Sequence, residues 1–302
     1  MLFHGKSSFV GMKIELLKRA VERVKRFPVV AKVIQINGRF SKDGGGYLAA
    51  SITHYAFLSI FPLLLLGTSV AGFVLAGDPQ GQADLARKLA GSIPGLGELL
   101  GENVHAIVDA RGSTGVIGLL GALWSGTAMA RAASFSLARV HRTQDPGNYF
   151  ATQAWAIGST IGLGLLAVVT TALGATIPAV NIAGRTKAGL LAAGVVVSLA
   201  LDLILFVAAY KVLHRGPSTP LRRIWRGALL PAIGWTTLKF GGSWYAQSTV
   251  AGSTAVFGAF ATVVGILVIL YLISRLFVFG AEINAVLEEG SRTSREEPGA
   301  AA

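Results

Sequence analysis

Four ionisable residues stand in stretches of this chain that are otherwise apolar: His54, Arg131, Asp202 and Lys239. A charge taken out of water is expensive, so each needs a partner, a water-filled cavity or a task. Together they offer an acid, two permanent cations and an imidazole. Such a set can form ion pairs, hold a charged solute, or exchange protons near neutral pH where water reaches the imidazole. Counting along helices at about 1.5 Å per residue puts His54 and Arg131 roughly 10 Å, Asp202 roughly 12 Å and Lys239 roughly 18 Å from one end of their spans. All four then lie in the same half of a bilayer. The expectation is a polar cavity open to the cytoplasm, lined by Ser51, His54, Tyr55, Ser59, Arg131, Asp202 and Lys239, with Asp202 paired to Lys239 or to Arg131. Bland readings stand beside it: a snorkelling Arg131, a structural Asp202–Lys239 pair, and a His54 that only bonds between helices.

Catalytic constellations are absent from the sequence. The five histidines, His4, His54, His105, His141 and His214, are scattered, and neither HExxH nor GxSxG occurs. With no cysteine in the chain, thiolate metal sites and disulfides are excluded. Gly5, Lys6 and Ser7 end like a phosphate-binding loop but lack its first glycine. The chain therefore reads as a non-enzyme with no metal and no cofactor.

The elements that must position these residues are long apolar helices. From Gly46 to Ala76 no charged residue occurs, which is more than the ~20 residues needed to span a bilayer. At 100° per residue, Tyr47, Ser51, His54, Tyr55, Ser59, Pro62, Ser69 and Gly72 share one arc of roughly 140°, so this span has a polar face. Further spans are expected at Gly115–Ala138, Thr152–Ile177, Ala188–Tyr210, Gly227–Gln247 and Ser253–Gly280. The second turns polar at Ser125, Thr127, Arg131 and Ser134, and its Gly115, Gly118 and Gly121 suit close packing. Gly158 and Gly162 form a GxxxG pattern that also predicts close packing. Pro62 and Pro231 predict kinks.

Around these spans the chain divides into three parts. Residues 1–45 form a basic segment whose 11–27 stretch reads as an amphipathic helix, with Ile14, Leu17, Val21 and Val24 on one side, broken by Pro28. Gly44, Gly45 and Gly46 read as a flexible hinge. The membrane domain is 46–287, with short amphipathic helices in an outer loop at 77–114. Residues 288–302 are polar, rich in small residues and expected to be disordered.

Charge placement decides the class of partner. The chain is 52% hydrophobic and only 14% charged, well below the ~25% charged of soluble domains, and its mean hydropathy is +0.59. Its net charge of +12 would suit a nucleic-acid binder if the basic residues were gathered for that purpose. Instead, with six spans, nineteen of the 27 Lys/Arg fall on one side and five on the other. The positive-inside rule then puts both termini in the cytoplasm and accounts for the charge without nucleic acid. Arg139, His141, Arg142, His214, Arg215, Arg222, Arg223 and Arg226 form a basic rim there, read either as an entrance for anionic headgroups or as a solvated loop face. The partners expected are the bilayer, its anionic phospholipids and envelope proteins.

Three stretches resemble the YihY/BrkB family of bacterial inner-membrane proteins. They are AASITHYAFLSIFPLLLL (Ala49–Leu66), WRGALLPAIGW (Trp225–Trp235) and VFGAFATVVGILVILYLISRLFVFGAEINAVL (Val256–Leu287). Tyr55, Ser59 and Pro62 match the first pattern, and Gly280, Glu282 and Asn284 the last, while His54 stands where the family often has tyrosine. The resemblance implies an all-α protein with six membrane helices in the bacterial cytoplasmic membrane. Members have been labelled virulence factors, and similar proteins have carried the name ribonuclease BN; no metal constellation supports nuclease chemistry here. The function expected is transport or export of a lipid or amphipathic anion, against a non-transporting scaffold for envelope assembly.

Overall fold

A computed structural model describes residues 28–74, 80–81, 111–143, 148–179, 187–215, 220–249 and 255–296. The expected helix at 11–27 and nearly all of the outer loop lie outside these residues. Apart from short turns between elements, the described ones are helical: α1 (Pro28–Lys42), α2 (Gly45–Val74), α3 (Arg111–His141), α4 (Tyr149–Ala179), α5 (Lys187–Leu213), α6 (Leu221–Thr249) and α7 (Ala255–Glu296). Long runs of Leu, Val, Ile and Ala, with every backbone bond closed within its own segment, are what a bilayer requires.

Five of these helices are long and apolar enough to cross a membrane, namely α2, α3, α4, α5 and α7. The expected span Gly227–Gln247 is indeed helical, within α6, and α6 has 29 residues. It falls short on apolarity because Thr236, Thr237, Lys239 and several small residues interrupt it.

The helices pack as neighbours in sequence. α2 lies along α3, α4 along α5, α5 along α6 and α6 along α7, while α7 returns to α2. The most extensive seam joins α2 and α3. A Cβ at Gly118 would sit 2.6 Å from the Leu66 backbone nitrogen, one at Gly121 2.9 Å from Pro62 Cγ, and one at Gly115 would collide with Ser69 Oγ. The three glycines expected to allow close packing do so. By contrast, Gly158 and Gly162 are exposed and an added Cβ there meets nothing within 4 Å, so that GxxxG pattern makes no close seam among the described residues.

Pro28 is the first residue of α1, a position where its missing N–H is harmless; the helix at 11–27 that it is expected to break lies outside the described residues. Three boundaries move. α1 then packs on the bundle through Ile36 and Phe40, one turn apart and both buried, so the membrane domain's core begins before residue 46. The three glycines are no hinge: Gly44 takes φ 73° in a tight α1–α2 corner, with Tyr47 and Leu48 donating to its carbonyl, and a Cβ on Gly45 would strike the Phe40 ring. Finally, α7 continues past Glu288 to Glu296, so the expected disordered tail is helical over that length.

Candidate functional site

Asp202 and Lys239 meet. On α5, Ser198 and Asp202 are four residues apart and share a face; on α6, Thr236 and Lys239 are three apart and do likewise. Lys239 Nζ donates to Asp202 Oδ1 at 2.8 Å and to Ser198 Oγ at 2.6 Å, and lies 2.7 Å from Asp202 Oδ2. The Thr236 hydroxyl donates to Oδ2 at 2.6 Å. Asp202 is 1% exposed and the lysine side chain 22%. Each charge has an opposite charge and a hydroxyl, as a desolvated pair needs if it is not to be a net cost. The network is a closed cross-link between two helices, with the lysine side chain partly exposed. Ser198 and Thr236 were absent from the sequence reading; their helical spacing from Asp202 and Lys239 was the available signal.

Arg131 is not Asp202's partner. Its side chain is exposed and donates to Gln153 Oε1 of α4 at 3.3 Å. His54 is exposed too, with its ring edge-on to Tyr55 at 5.3 Å. The hydroxyls of α2 turn back on their own helix: Ser51 donates to Leu48 O at 2.7 Å and Ser59 to Tyr55 O at 2.8 Å. The polar arc of the first span therefore splits. Tyr47 and His54 are exposed, whereas Ser59, Ser69 and Gly72 are buried, with Ser69 and Pro62 against the glycines of α3. Because α2 packs chiefly on α3 and α7, and the Asp202 network joins α5 to α6, the seven expected lining residues do not converge on one point.

The basic rim takes shape at the end where α3, α5 and α7 finish and α2, α4 and α6 begin. Arg215 donates to Thr152 Oγ1 at 2.8 Å and covers the Trp155 ring at 4.9 Å, tying α5 to α4. The His141 and His214 rings meet at a tilt, with centroids 4.5 Å apart. Arg139, Arg142, Arg222 and Arg226 are exposed and Arg223 is half-buried; Arg226 lies 6.0 Å over the exposed Trp225. Tyr47, Tyr149 and Phe150 are exposed at the same end, the placement of an interfacial aromatic belt.

The two C-terminal motifs explain one another. Gly227 and Gly280 cross so closely that a Cβ on either would strike the other's carbonyl oxygen. Asn284 seals the crossing: its Oδ1 accepts the Gly227 N–H at 2.9 Å and its Nδ2 donates to Ile224 O at 3.2 Å. Tyr210 adds α5, donating to Phe277 O at 2.6 Å while stacking on the Phe277 ring. Glu282, on the next turn from these, is wholly buried with Arg39 Nε 3.4 Å away. That guanidinium also reaches Glu289 at 2.5 Å and Val140 O at 3.5 Å, binding α1 to α7 and α3. The reading from sequence named Glu282 only as a motif residue and left Arg39 among the basic residues of a peripheral segment. Among the described residues no three His, Asp or Glu side chains cluster as metal ligands would.

The model of a family described as virulence factor BrkB matches residues 36–302. An uncharacterized protein of Dickeya dadantii is 28% identical, covering 92% of this chain and 89% of its own length. The inner membrane protein YhjD of Escherichia coli is 27% identical over 94% of this chain and 88% of its own. The putative ribonuclease-like protein YfkH of Bacillus subtilis is 24% identical over 87% and 98%. No solved structure matches the chain.

Proposed function

The chain belongs to the virulence factor BrkB family, and on that premise we propose that it is a multi-pass inner-membrane protein that moves a lipid or an amphipathic anion past its basic rim. One observation carries the reading. Arg131 is exposed roughly 15 Å along α3 from His141, and His54 is exposed roughly 14 Å along α2 from Gly45, at 1.5 Å per residue. An arginine exposed at that depth is unfavourable in hydrocarbon and is tolerated where water or an anionic group reaches it. A phosphate-bearing headgroup entering from the rim meets that need. In this reading α6 is the sixth span, its polar residues shielded by α5 and α7, and both termini lie on the cytoplasmic side. The protein acts without catalysis, cofactor or nucleic acid.

A non-transporting envelope scaffold is the second reading. The closed Asp202–Lys239 cross-link and the tight glycine seam favour it, because both hold helices together without leaving room for a solute.

The deciding experiment is reconstitution in liposomes, with movement of a fluorescent anionic phospholipid between leaflets and ion flux assayed in parallel. The expected outcome is lipid movement above protein-free vesicles, reduced severalfold by Arg131→Gln. Rates equal to those of empty vesicles in both assays would overturn transport in favour of the scaffold.

A further inference from the structure

The Asp202 network is electrically closed, whereas a second buried cluster is not. Glu282 is 0% exposed, and neither of its carboxylate oxygens receives a hydrogen bond. Arg39 Nε, at 3.4 Å, is too far to donate well, and the rest of that guanidinium is engaged by Glu289 and the Val140 carbonyl. Asp43, one helical turn after Arg39 at the α1–α2 corner, lies within hydrogen-bonding reach of Glu282, and its Oδ2 is also buried without a donor. Two acceptors thus face each other.

The charges lead to the same point. Asp43 and Glu282 place two negative charges beside one guanidinium, which the half-exposed Glu289 also draws on. Among the described residues, the other charged groups named at this end lie elsewhere. Arg275 of α7 lies over the Phe40 ring at 5.5 Å, and Lys42 of α1, Arg139 of α3 and Arg222 and Arg226 of α6 are exposed. The His141 ring of α3 packs at a tilt against His214, which follows α5, with Glu288 and Glu289 near it. Arg215 is taken by α4, Lys211 of α5 is exposed and Arg223 of α6 is half-buried at the rim.

We propose that Asp43 and Glu282 bind one proton between them, forming a carboxyl–carboxylate pair beneath Arg39 that pins α1 and the α1–α2 corner to α7. The O–H of one carboxyl group donates to an oxygen of the other. One proton supplies the missing donor and brings the buried trio to neutrality, removing the cost of an uncompensated charge. A metal ion fits the place poorly, since it wants several oxygen ligands and a guanidinium already occupies one side. Loss of the proton would leave adjacent carboxylates repelling across the corner, so the docking of α1 is tied to proton occupancy.

Infrared difference spectroscopy of the full chain in nanodiscs, titrated with pH, tests this. The wild type is expected to show the carbonyl band of a buried protonated carboxyl group at neutral pH, and Glu282→Gln and Asp43→Asn are each expected to lose it. Both amides can donate where the proton did, so both variants should keep α1 docked, read by limited proteolysis, and should abolish the pH dependence of that docking expected of the wild type. Absence of the wild-type band, its survival in both variants, or its removal by sodium or magnesium at constant pH would overturn the proposal. Should Glu282→Gln fail to fold, Asp43→Asn at the helix corner carries the test by itself.

Discussion

The α5–α6 contact and the α2–α3 seam solve the same problem in opposite ways. Both bring polar residues into a region where water is scarce. At α5–α6 the side chains reach across: Asp202, Lys239, Ser198 and Thr236 bond from one helix to the other. Along α2, Ser51, Thr53 and Ser59 bond to their own helix, and the α2–α3 seam is made by glycines that let backbones touch. A hydroxyl can be satisfied by a carbonyl one turn back, but a carboxylate and an ammonium cannot. Of these two contacts, the one that holds a charged pair is a side-chain cross-link, and the one that holds only small hydroxyls and glycines is a close approach of backbones.

Substitutions sharpen that contrast, and the largest effect belongs to the charges. Lys239→Met strands a buried carboxylate and should cost about 3–5 kcal/mol, measured by thermal unfolding in detergent, with much of it recovered in the Asp202→Leu, Lys239→Met double variant. A double variant no more stable than the single one would show that the pair is not the cross-link described. Next comes the seam. Gly118→Val drives side-chain atoms into the Leu66 backbone and should cost about 1–3 kcal/mol, whereas Gly158→Val on the open face of α4 should leave the midpoint nearly unchanged. Equal effects would mean that the glycines do not set the spacing. Asn284→Ala removes two interhelical bonds from the Gly227–Gly280 crossing and should cost about 1–2 kcal/mol, visible as a lowered midpoint. Smallest is Ser59→Ala, whose hydroxyl serves only its own helix: a change within about 0.5 kcal/mol is expected.

Much of this was legible before any coordinates. Apolar runs located the long helices, since a bilayer leaves the backbone few choices. The glycine triplet on α3 announced its seam, and Asp202 with Lys239 announced a pair, because charge in an apolar setting demands a partner. Which partner was not legible: Lys239 and Arg131 were equivalent in sequence, and only the α5–α6 packing chose between them. The identical small-residue logic misread Gly158 and Gly162, which lie on a face that no helix covers among the described residues. Arg39 and Glu282 were missed because 243 positions separate them and nothing periodic links a corner near the start of the bundle to a helix at its end.

The sequence by itself determined an all-helical membrane chain, the approximate extent of its spans, the charge bias of one end and the set of polar residues that had to be reconciled with lipid. Those properties follow from local composition and from the cost of an unpaired group in hydrocarbon. The tertiary structure alone decided how the reconciliation was made. It chose Lys239 for Asp202, left Arg131 and His54 exposed, crossed Gly227 over Gly280 under Asn284, and folded α1 back so that Arg39 and Asp43 met Glu282. Each of these depends on which helix faces lie against each other, and that is set by packing across the whole bundle.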